Sequence, residues 1–213
     1  MNTKQRILHS ALELFNKEGY PNVSSKRISE EMGISYGNLC YHFPKKDDIV
    51  LRLQQNLWDE VDESMQNLEG EIFEFDFMLR SLTQLMELTL KYRFFLINSY
   101  DLTIRYPKIK EKTIERAKAY HHVLYRIAHF LMDNGYMHPT KNEQVLQKKI
   151  HGLLIIFNSW ILDYAVFYDK PEKNIAESTP YYIQLLFSMI HSSLTPKGRK
   201  IFSSVYREVH GNS

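Results

Sequence analysis

The segment that decides the fold reads 24-SSKRISEEMGISYGNLCYHF-43. Its pattern predicts two short helices joined by a tight turn at Gly33, because glycine tolerates the positive φ that such a turn requires. Ser24 and Ser35 stand where the N-cap of each helix is expected, and Pro44 stops the second helix. The segment therefore predicts a helix-turn-helix unit.

The side chains of this segment suit a unit that packs tightly and presents a polar helix start. Ser29 is small enough for two crossing helices to touch, and Gly37 lets the backbone approach a base or a phosphate closely. The apolar residues at the offsets that fill the angle between the helices are Ile28, Met32, Ile34 and Leu39. The residues that can donate hydrogen bonds to phosphates or base edges are Ser35, Tyr36, Asn38, Tyr41 and His42. A helix docked in the major groove of DNA explains this combination, and the alternative is a three-helix packing unit with no nucleic-acid role.

The composition fits a folded protein of a reducing compartment. The 213 residues carry a net charge of +2, and all of this excess lies in residues 1–52, which hold eight Lys or Arg against six Asp or Glu. A single cysteine, Cys40, rules out an internal disulfide. The N-terminus lacks the apolar core of a signal peptide, and the apolar run 152–168 is interrupted and shorter than the roughly 20 residues that span a bilayer. We therefore expect a cytoplasmic protein with no membrane contact.

Nearly every segment shows the 3.6-residue period of an amphipathic helix, and none shows sustained two-residue alternation. We therefore expect an all-α chain in two parts: a helix-turn-helix DNA-binding domain at 1–47 and a helical effector-binding and dimerisation domain at 48–213. Helices are expected at 3–17, 24–33, 35–43, 46–68, 73–91, 94–104, 107–134, 142–168, 180–194 and 197–209, with a loop at 169–179.

Four motifs in the N-terminal part carry a resemblance to a known family. They are ILHSALELFNKEGY at 7–20, Ser24-x-x-x-Ile28-Ser29, Gly33-Ile34-Ser35-Tyr36-Gly37-Asn38-Leu39, and Tyr41-His42-Phe43-x-x-Lys46-x-x-Ile49. In order, spacing and turn residues they resemble the TetR family of bacterial transcriptional regulators. The rest of the chain resembles this family in helix count and length alone.

The resemblance implies which residues meet DNA. At the start of the first helix of the pair, the residues implied to meet phosphate and a base are Ser25 and Lys26. The residues implied to face base edges are Tyr36, Gly37 and Asn38. The residues implied to hold the DNA backbone are Tyr41, His42 and Lys46. For Lys45 and Lys46 the alternative is a solvated helix start.

One position departs from the family pattern. Cys40 stands where members usually carry an aromatic residue, most often tyrosine, that touches phosphate, and the neighbouring Tyr41 would compensate. A thiolate at a DNA surface is open to oxidation, so Cys40 is a candidate redox switch. The alternative is a small residue packed under the first helix.

For the C-terminal part, the resemblance implies an effector pocket enclosed by helices within 73–168 and a homodimer formed through 142–168 and 180–194. The segment 180–194 is apolar around more than one face, which suits either a dimer interface or burial within one chain. Aromatic walls with a few polar groups suit a mostly apolar ligand. The candidate ligand-binding residues are Phe94, Phe95, Asn98, Tyr100, His121, Tyr125, Phe157 and Trp160, and each has core packing as its alternative.

The expected function is ligand-responsive regulation of transcription. A homodimer would repress by binding operator DNA and would release the DNA when a small molecule binds the C-terminal domain. The sequence has no phosphate-binding glycine loop, no G-x-S-x-G and no H-E-x-x-H, so neither an enzyme nor a cofactor is expected. His121, His122 and His129 lack a metal-ligand spacing, so no metal is expected. The rival readings are a helical interaction module that docks protein and an enzyme acting in the helical pocket.

Overall fold

The computed structural model describes residues 2–66, 75–167 and 176–210, and over these ranges the chain is helical without a β-strand. The all-α prediction is confirmed. The helices are α1 (Thr3–Leu14), α2 (Ser25–Glu31), α3 (Tyr36–His42), α4 (Lys46–Gln66), α5 (Phe75–Lys91), α6 (Arg93–Ile97), α7 (Ser99–Arg105), α8 (Pro107–Asp133), α9 (Glu143–Phe167), α10 (Thr179–His191) and α11 (Pro196–His210). The predicted boundaries at 68, 73 and 168 and most of the predicted loop 169–179 lie outside the described residues.

Two predicted helices differ from the structure. The helix expected at 3–17 is α-helical to Leu14 and continues as a π-helical turn, Phe15–Gly19. The helix expected at 94–104 is divided into α6 and α7 at Asn98, whose backbone leaves the helical region at φ −105° and ψ 20°. The Asn98 amide donates a hydrogen bond to the carbonyl of Phe94 at 2.8 Å. The backbone N–H of Asn98 donates to the same carbonyl at 3.0 Å, so the side chain adds a second local hydrogen bond at the point where the helix divides.

The helix-turn-helix unit forms as its turn and caps predict. Gly33 has a φ of +64°, which is the left-handed conformation that the turn requires. The Ser24 and Ser35 hydroxyls accept hydrogen bonds from the backbone N–H groups of Arg27 and Asn38, so both N-caps are confirmed. The angle between the helices is filled by residues that are fully or partly buried, namely Ile28, Met32, Ile34 and Leu39. These contacts fix the direction in which α3 leaves the unit.

The N-terminal unit is joined to the rest of the chain by a buried junction, which consists of Phe15, Asn16, Tyr20, Phe94 and Tyr106. The ring of Phe94 lies 5.1 Å from that of Phe15 and 6.4 Å from that of Tyr20, measured between centroids. The Asn16 amide donates to the carbonyl of Lys91 and accepts from the backbone N–H of Phe94. The junction therefore makes one continuous core of α1, α4 and the α6–α8 region.

A second core lies between α5, α9, α10 and α11, and the buried indole of Trp160 is at its centre. The indole N–H donates to the hydroxyl of Thr89 at 3.2 Å. By length and composition α9 could cross a membrane, yet its residues Trp160, Ile161 and Tyr164 are buried in this core. One such helix is weak evidence for a membrane span, because core helices of soluble proteins can be equally long and apolar. Other apolar residues of α9, among them Ile155, Leu162 and Val166, are exposed.

Candidate nucleic-acid interface and cavity

The start of α3 is an exposed polar surface on a well-anchored helix. Leu39 is fully buried beneath it, while Tyr36 and Tyr41 expose 53% and 85% of their surface. Ser35, Gly37 and Asn38 are also exposed. An exposed aromatic pair on an anchored polar helix makes this surface a candidate for contact with a partner.

Two further pairs shape this surface. The ring of Tyr41 lies edge-on to the half-buried His42 at 5.2 Å between centroids. A hydrogen bond with the side chain of Cys40 raises the pKa of Tyr36 above its ordinary value. Cys40 is half-buried one helical turn beyond Tyr36, so the cysteine helps to orient the tyrosine ring.

The start of α2 borders the same surface. Lys26 is exposed, and its ammonium lies 3.8 Å from a carboxylate oxygen of Glu30, a weak pair in water. Ser25 is half-buried. Arg27 is held by Glu31 of its own helix at 2.7 Å and by Glu18 at 2.8 Å, and the Glu18 pair ties α2 to the π-helical turn that follows α1. Lys26 is thus the cation of α2 that is able to move to a phosphate.

The Lys46 side chain is half-buried against Tyr20, although the sequence assigned it to the DNA backbone. The Lys46 ammonium donates to the carbonyl of Tyr20 at 2.6 Å and lies 4.0 Å from the centre of the Tyr20 ring. Burial, reinforced by repulsion from Arg105, lowers the pKa of Lys46 to about 8. The first turn of α4 packs against the junction, so the side chain turns inward toward carbonyl and ring partners. Lys46 is therefore a junction residue.

Other junction groups connect to this lysine. The hydroxyl of Tyr106 donates to the carboxylate of Asp47 at 2.8 Å, and the hydroxyl of Tyr20 is hydrogen-bonded to that of Tyr106. Because Tyr106 has one proton and gives it to Asp47, Tyr20 is the donor of the second bond. Burial and these hydrogen bonds raise the pKa of Tyr106. The chain of three groups links the end of α1 to the starts of α4 and α8.

We expect the stability of the protein to rise between pH 8 and 9.5 through Lys46. The folded-state pKa of about 8 lies below the unfolded-state value of about 10.4, so the unfolded chain binds more protons in this window. Below pH 8, burial of the charged ammonium lowers the free energy of unfolding. This loss is regained as the pH rises and the folded protein releases the proton. Urea unfolding of the wild type and of Lys46→Met across this window measures the effect.

The neighbouring exposed Lys45 provides the control for this experiment. Lys45→Met retains the rise, whereas Lys46→Met loses it. The window stops at pH 9.5 because ionisation of buried tyrosines such as Tyr106 opposes folding at higher pH. A parallel pH dependence of all three proteins would contradict the inward position of the Lys46 ammonium.

A cavity of about 300 Å³ lies in the C-terminal part of the chain. Residues of α4, α5, α8, α9 and α10 form most of its wall, and most of the lining residues are apolar. Trp58 and Tyr120 line one part of it, and His138, Lys149 and Ser193 line another. A volume at the lower end of the usual range for ligand pockets, with apolar walls and a few polar groups, suits a small organic molecule.

Of the eight predicted ligand residues, all of which lie in described parts of the chain, Phe157 alone lines this cavity. Phe94 and Phe95 are buried in the first core, and Trp160 is buried in the second. Asn98 bonds to the backbone of α6, and Tyr100 is exposed. His121 and Tyr125 each follow a lining residue of α8, Tyr120 and Leu124, and one residue rotates a side chain by about 100° around a helix.

The sequence reasoning missed the polar residues of the cavity. Lys149 lies in the apolar row of α9, three residues after Leu146 and four before Leu153. A lysine inside such a row is the signal that could have identified it, because lysine is otherwise rarely placed on an inward helix face. Ser193 follows the end of α10 and carries no comparable signal in the sequence.

An exposed apolar surface runs along α9 and α10. It is formed by Ile155, Leu162 and Val166 of α9 together with Tyr181 and Met189 of α10, and we call it the α9–α10 face. The spacing of seven and four residues puts the three α9 side chains on one side of that helix. Two other apolar residues of α10, Tyr182 and Leu186, are buried within the chain. The helix thus serves both the core and an exposed face.

Two family models together match most of the chain. Residues 7–53 match the one described as bacterial regulatory proteins, tetR family, and residues 57–202 match the one described as bacterial transcriptional repressor.

Among the residues that the structure describes, no group of three or more His, Cys, Asp or Glu side chains is arranged to hold a metal ion.

Individual proteins show the same likeness. A helix-turn-helix-type transcriptional regulator of Staphylococcus aureus (strain bovine RF122 / ET3-1) is 40% identical over 55 residues, which is 26% of this chain and 30% of that relative's length. A crystal structure of a TetR-family transcriptional regulator from Marinobacter aquaeolei VT8 superimposes with a TM-score of 0.87 at 24% identity and covers 98% of both chains. AmtR of Mycobacterium smegmatis superimposes with a TM-score of 0.66 at 18% identity, over 100% of this chain and 96% of its own. The structural likeness concerns the fold.

Proposed function

The chain belongs to the TetR family of bacterial transcriptional regulators, and from that premise we propose that it is a repressor that releases its operator when a small molecule binds. As a family member it is a regulator of transcription and not an enzyme. Regulators of this family bind DNA and act as dimers with small-molecule effectors. We further propose that it acts in the cytoplasm, with a DNA-binding domain at 1–47 and an effector-binding and dimerisation domain at 48–213.

The exposed start of α3 is the observation that carries the DNA-binding proposal. Tyr36 and Asn38, beside the side-chain-free Gly37, would enter the major groove and read base edges. Phosphates on either side would be held by residues at the helix starts and by the end of α3. The proposed phosphate contacts are Ser25, Lys26, Ser35, Tyr41 and His42, and we leave Lys46 out of this set because its ammonium is half-buried and donates to the carbonyl of Tyr20.

Replacing Asn38 by alanine is expected to weaken operator binding by about 1–3 kcal/mol and to relax the preference at the base pair it reads. An asparagine side chain pairs with adenine through two hydrogen bonds that alanine lacks. Fluorescence anisotropy against the operator and a set of single-base variants measures both effects. Lys26→Ala is the comparison, because loss of a phosphate contact weakens all sequences equally and flattens the salt dependence. The role assignment fails if both variants weaken all fragments alike.

The α9–α10 face is the proposed dimer interface. Its five exposed apolar side chains lie on two helices that already pack against each other, so a second copy would form a four-helix interface. A symmetric dimer would place two α3 helices on half-sites one helical turn of DNA apart. An interface at this face would also account for the apolar character of α9, much of whose surface is exposed in one chain.

The cavity is the proposed effector site, and the junction is the proposed link to DNA. The cavity is lined by α4 and α6 residues such as Leu57 and Leu96, and both helices take part in the junction core. A ligand that prefers one packing of these helices would shift the population of DNA-binding orientations. The chain of hydroxyls and carboxylate from Tyr20 through Tyr106 to Asp47 would transmit that change.

Binding of the purified protein to the DNA upstream of its own gene tests the proposal. We expect nanomolar-range binding that weakens steeply with salt and exceeds binding to a shuffled fragment by about a thousandfold or more. Equal affinity for both fragments would refute sequence-selective regulation. The release step is tested separately, by adding molecules that raise the melting temperature of the protein and measuring the affinity for the operator again.

A further inference from the structure

The cavity has a definite length and one charged end. Trp58 on α4 lies against Tyr120 on α8 at 6.4 Å between ring centroids, and both line the cavity. Leu131, also a lining residue, stands 11 positions further along α8, which corresponds to about 16 Å at 1.5 Å per residue. The volume of about 300 Å³ equals about ten water-sized groups. Ten groups spread over this length suit a thin, extended ligand better than a compact ring system.

A polar cluster that contains the lysine of the cavity wall lies at the Leu131 end. The backbone N–H of Met137 donates to the carbonyl of Leu131, and that of His138 donates to the carbonyl of Ser193 at 2.8 Å. The Lys149 ammonium donates to the hydroxyl of Ser193. His138, Lys149 and Ser193 all line the cavity and form a polar cap that contains its lysine, while the other polar lining residues, Ser81, Thr89, Thr140 and Asn158, are uncharged.

The charge of this cap has no counter-ion within the part of the chain that the structure describes. Lys149 is half-buried and takes part in no ion pair with a described carboxylate. Its ammonium has three donors and gives one to Ser193, whose hydroxyl proton is in turn free to reach an oxygen in the cavity. An ammonium beside apolar walls is costly without a partner, and an oxyanion would supply that partner.

We propose that the effector is an extended apolar molecule with one terminal carboxylate, which enters the cavity tail-first toward Trp58 and binds Lys149 and Ser193 with its carboxylate. The assignment rests on the proposed function in taking the cavity as the effector site. It goes further by specifying the charge, shape and orientation of the ligand.

The test compares three straight-chain probes of equal length with protein free of DNA: decanoate, decanol and decylammonium. Isothermal titration calorimetry at concentrations below micelle formation gives their affinities. We expect decanoate to bind at least about tenfold more tightly than decanol, because the neutral alcohol cannot form the charge-assisted pair with Lys149. Decylammonium should bind most weakly, because its positive charge is repelled by the Lys149 ammonium. Equal affinities of decanoate and decanol, or no binding of decanoate, would overturn the proposal.

Variants of adjacent lysines localise the effect. Lys149→Met should lower the affinity for decanoate about tenfold and leave that for decanol unchanged, whereas Lys148→Met, at an exposed position, should change neither. Lys149→Gln is the second variant if Lys149→Met folds poorly. Quenching of the Trp58 indole fluorescence by a bromine at the far end of the decanoate chain tests the orientation. A loss of decanoate affinity in both lysine variants, or unaltered affinity in both, would contradict the assignment.

Measurement of operator binding separates this proposal from the proposed function. Lys149-dependent binding of decanoate without release of DNA would leave the ligand assignment intact and refute ligand-induced release. Release by neutral molecules, together with no preference for decanoate, would refute the carboxylate assignment and leave the repressor proposal intact.

Discussion

Replacing Phe94 by alanine is expected to lower the free energy of unfolding by about 3–5 kcal/mol, the usual cost of removing a buried aromatic ring. The Phe94 ring is almost completely buried and packs between Phe15, Tyr20 and Phe95. Its removal leaves a cavity in the junction, where α1 meets α6, and the junction cannot close over it without moving the helix-turn-helix unit. Urea unfolding followed by circular dichroism, at one fixed protein concentration, measures the loss.

Tyr100 provides the matched control, since it is an aromatic residue of the adjacent helix α7 and exposes 75% of its surface. Tyr100→Ala should change stability by less than about 0.5 kcal/mol. The two residues also test the sequence-based assignment, which placed both in the ligand site. Similar small losses for both variants would show that Phe94 is not the centre of the junction.

The helix-turn-helix unit could be predicted almost completely because its signals are local. Gly33 specifies the turn through its own backbone freedom, and Ser24 and Ser35 cap helices that begin one residue later. The partners of these residues lie within three or four positions along the chain. Residues exposed on α3 follow from the same local pattern, since Leu39 must face inward for the unit to pack.

The inward position of Lys46 could not be predicted from local signals. A lysine at the first position of a helix is solvated or phosphate-bound unless a distant segment covers it, and here Tyr20 covers it from 26 positions away. Seven of the eight aromatic and polar candidates for the ligand site lie outside the cavity for a related reason. Residue type distinguishes an inward side chain from an outward one, but a core and a cavity use the same types, so only the packing of helices separates Phe157 from Phe94.

Replacing Leu162 by glutamate is expected to dissociate the proposed dimer and to weaken operator binding by at least about 100-fold. The Leu162 side chain lies between Ile155 and Val166 on the α9–α10 face, so a symmetric dimer would bury two carboxylates among apolar groups. An uncompensated buried charge costs about 3–5 kcal/mol, which exceeds two factors of ten in affinity. A single protomer reaches one half-site and loses the gain of two linked contacts with DNA.

Ile114→Glu on α8 is the control, because Ile114 exposes 47% of its surface and Leu162 exposes 43%. Both substitutions put a carboxylate at an aliphatic position that is exposed to water in an isolated protomer, so the two should change the stability of that protomer to a similar extent. Light scattering coupled to size-exclusion chromatography should show a monomer for Leu162→Glu and a dimer for Ile114→Glu, with anisotropy reporting operator affinity. If Leu162→Glu remains dimeric and binds operator normally, the dimer forms through another surface and α9 is apolar for a different reason. If both variants become monomeric, the interface extends to α8 and the α9–α10 face is one part of a larger contact.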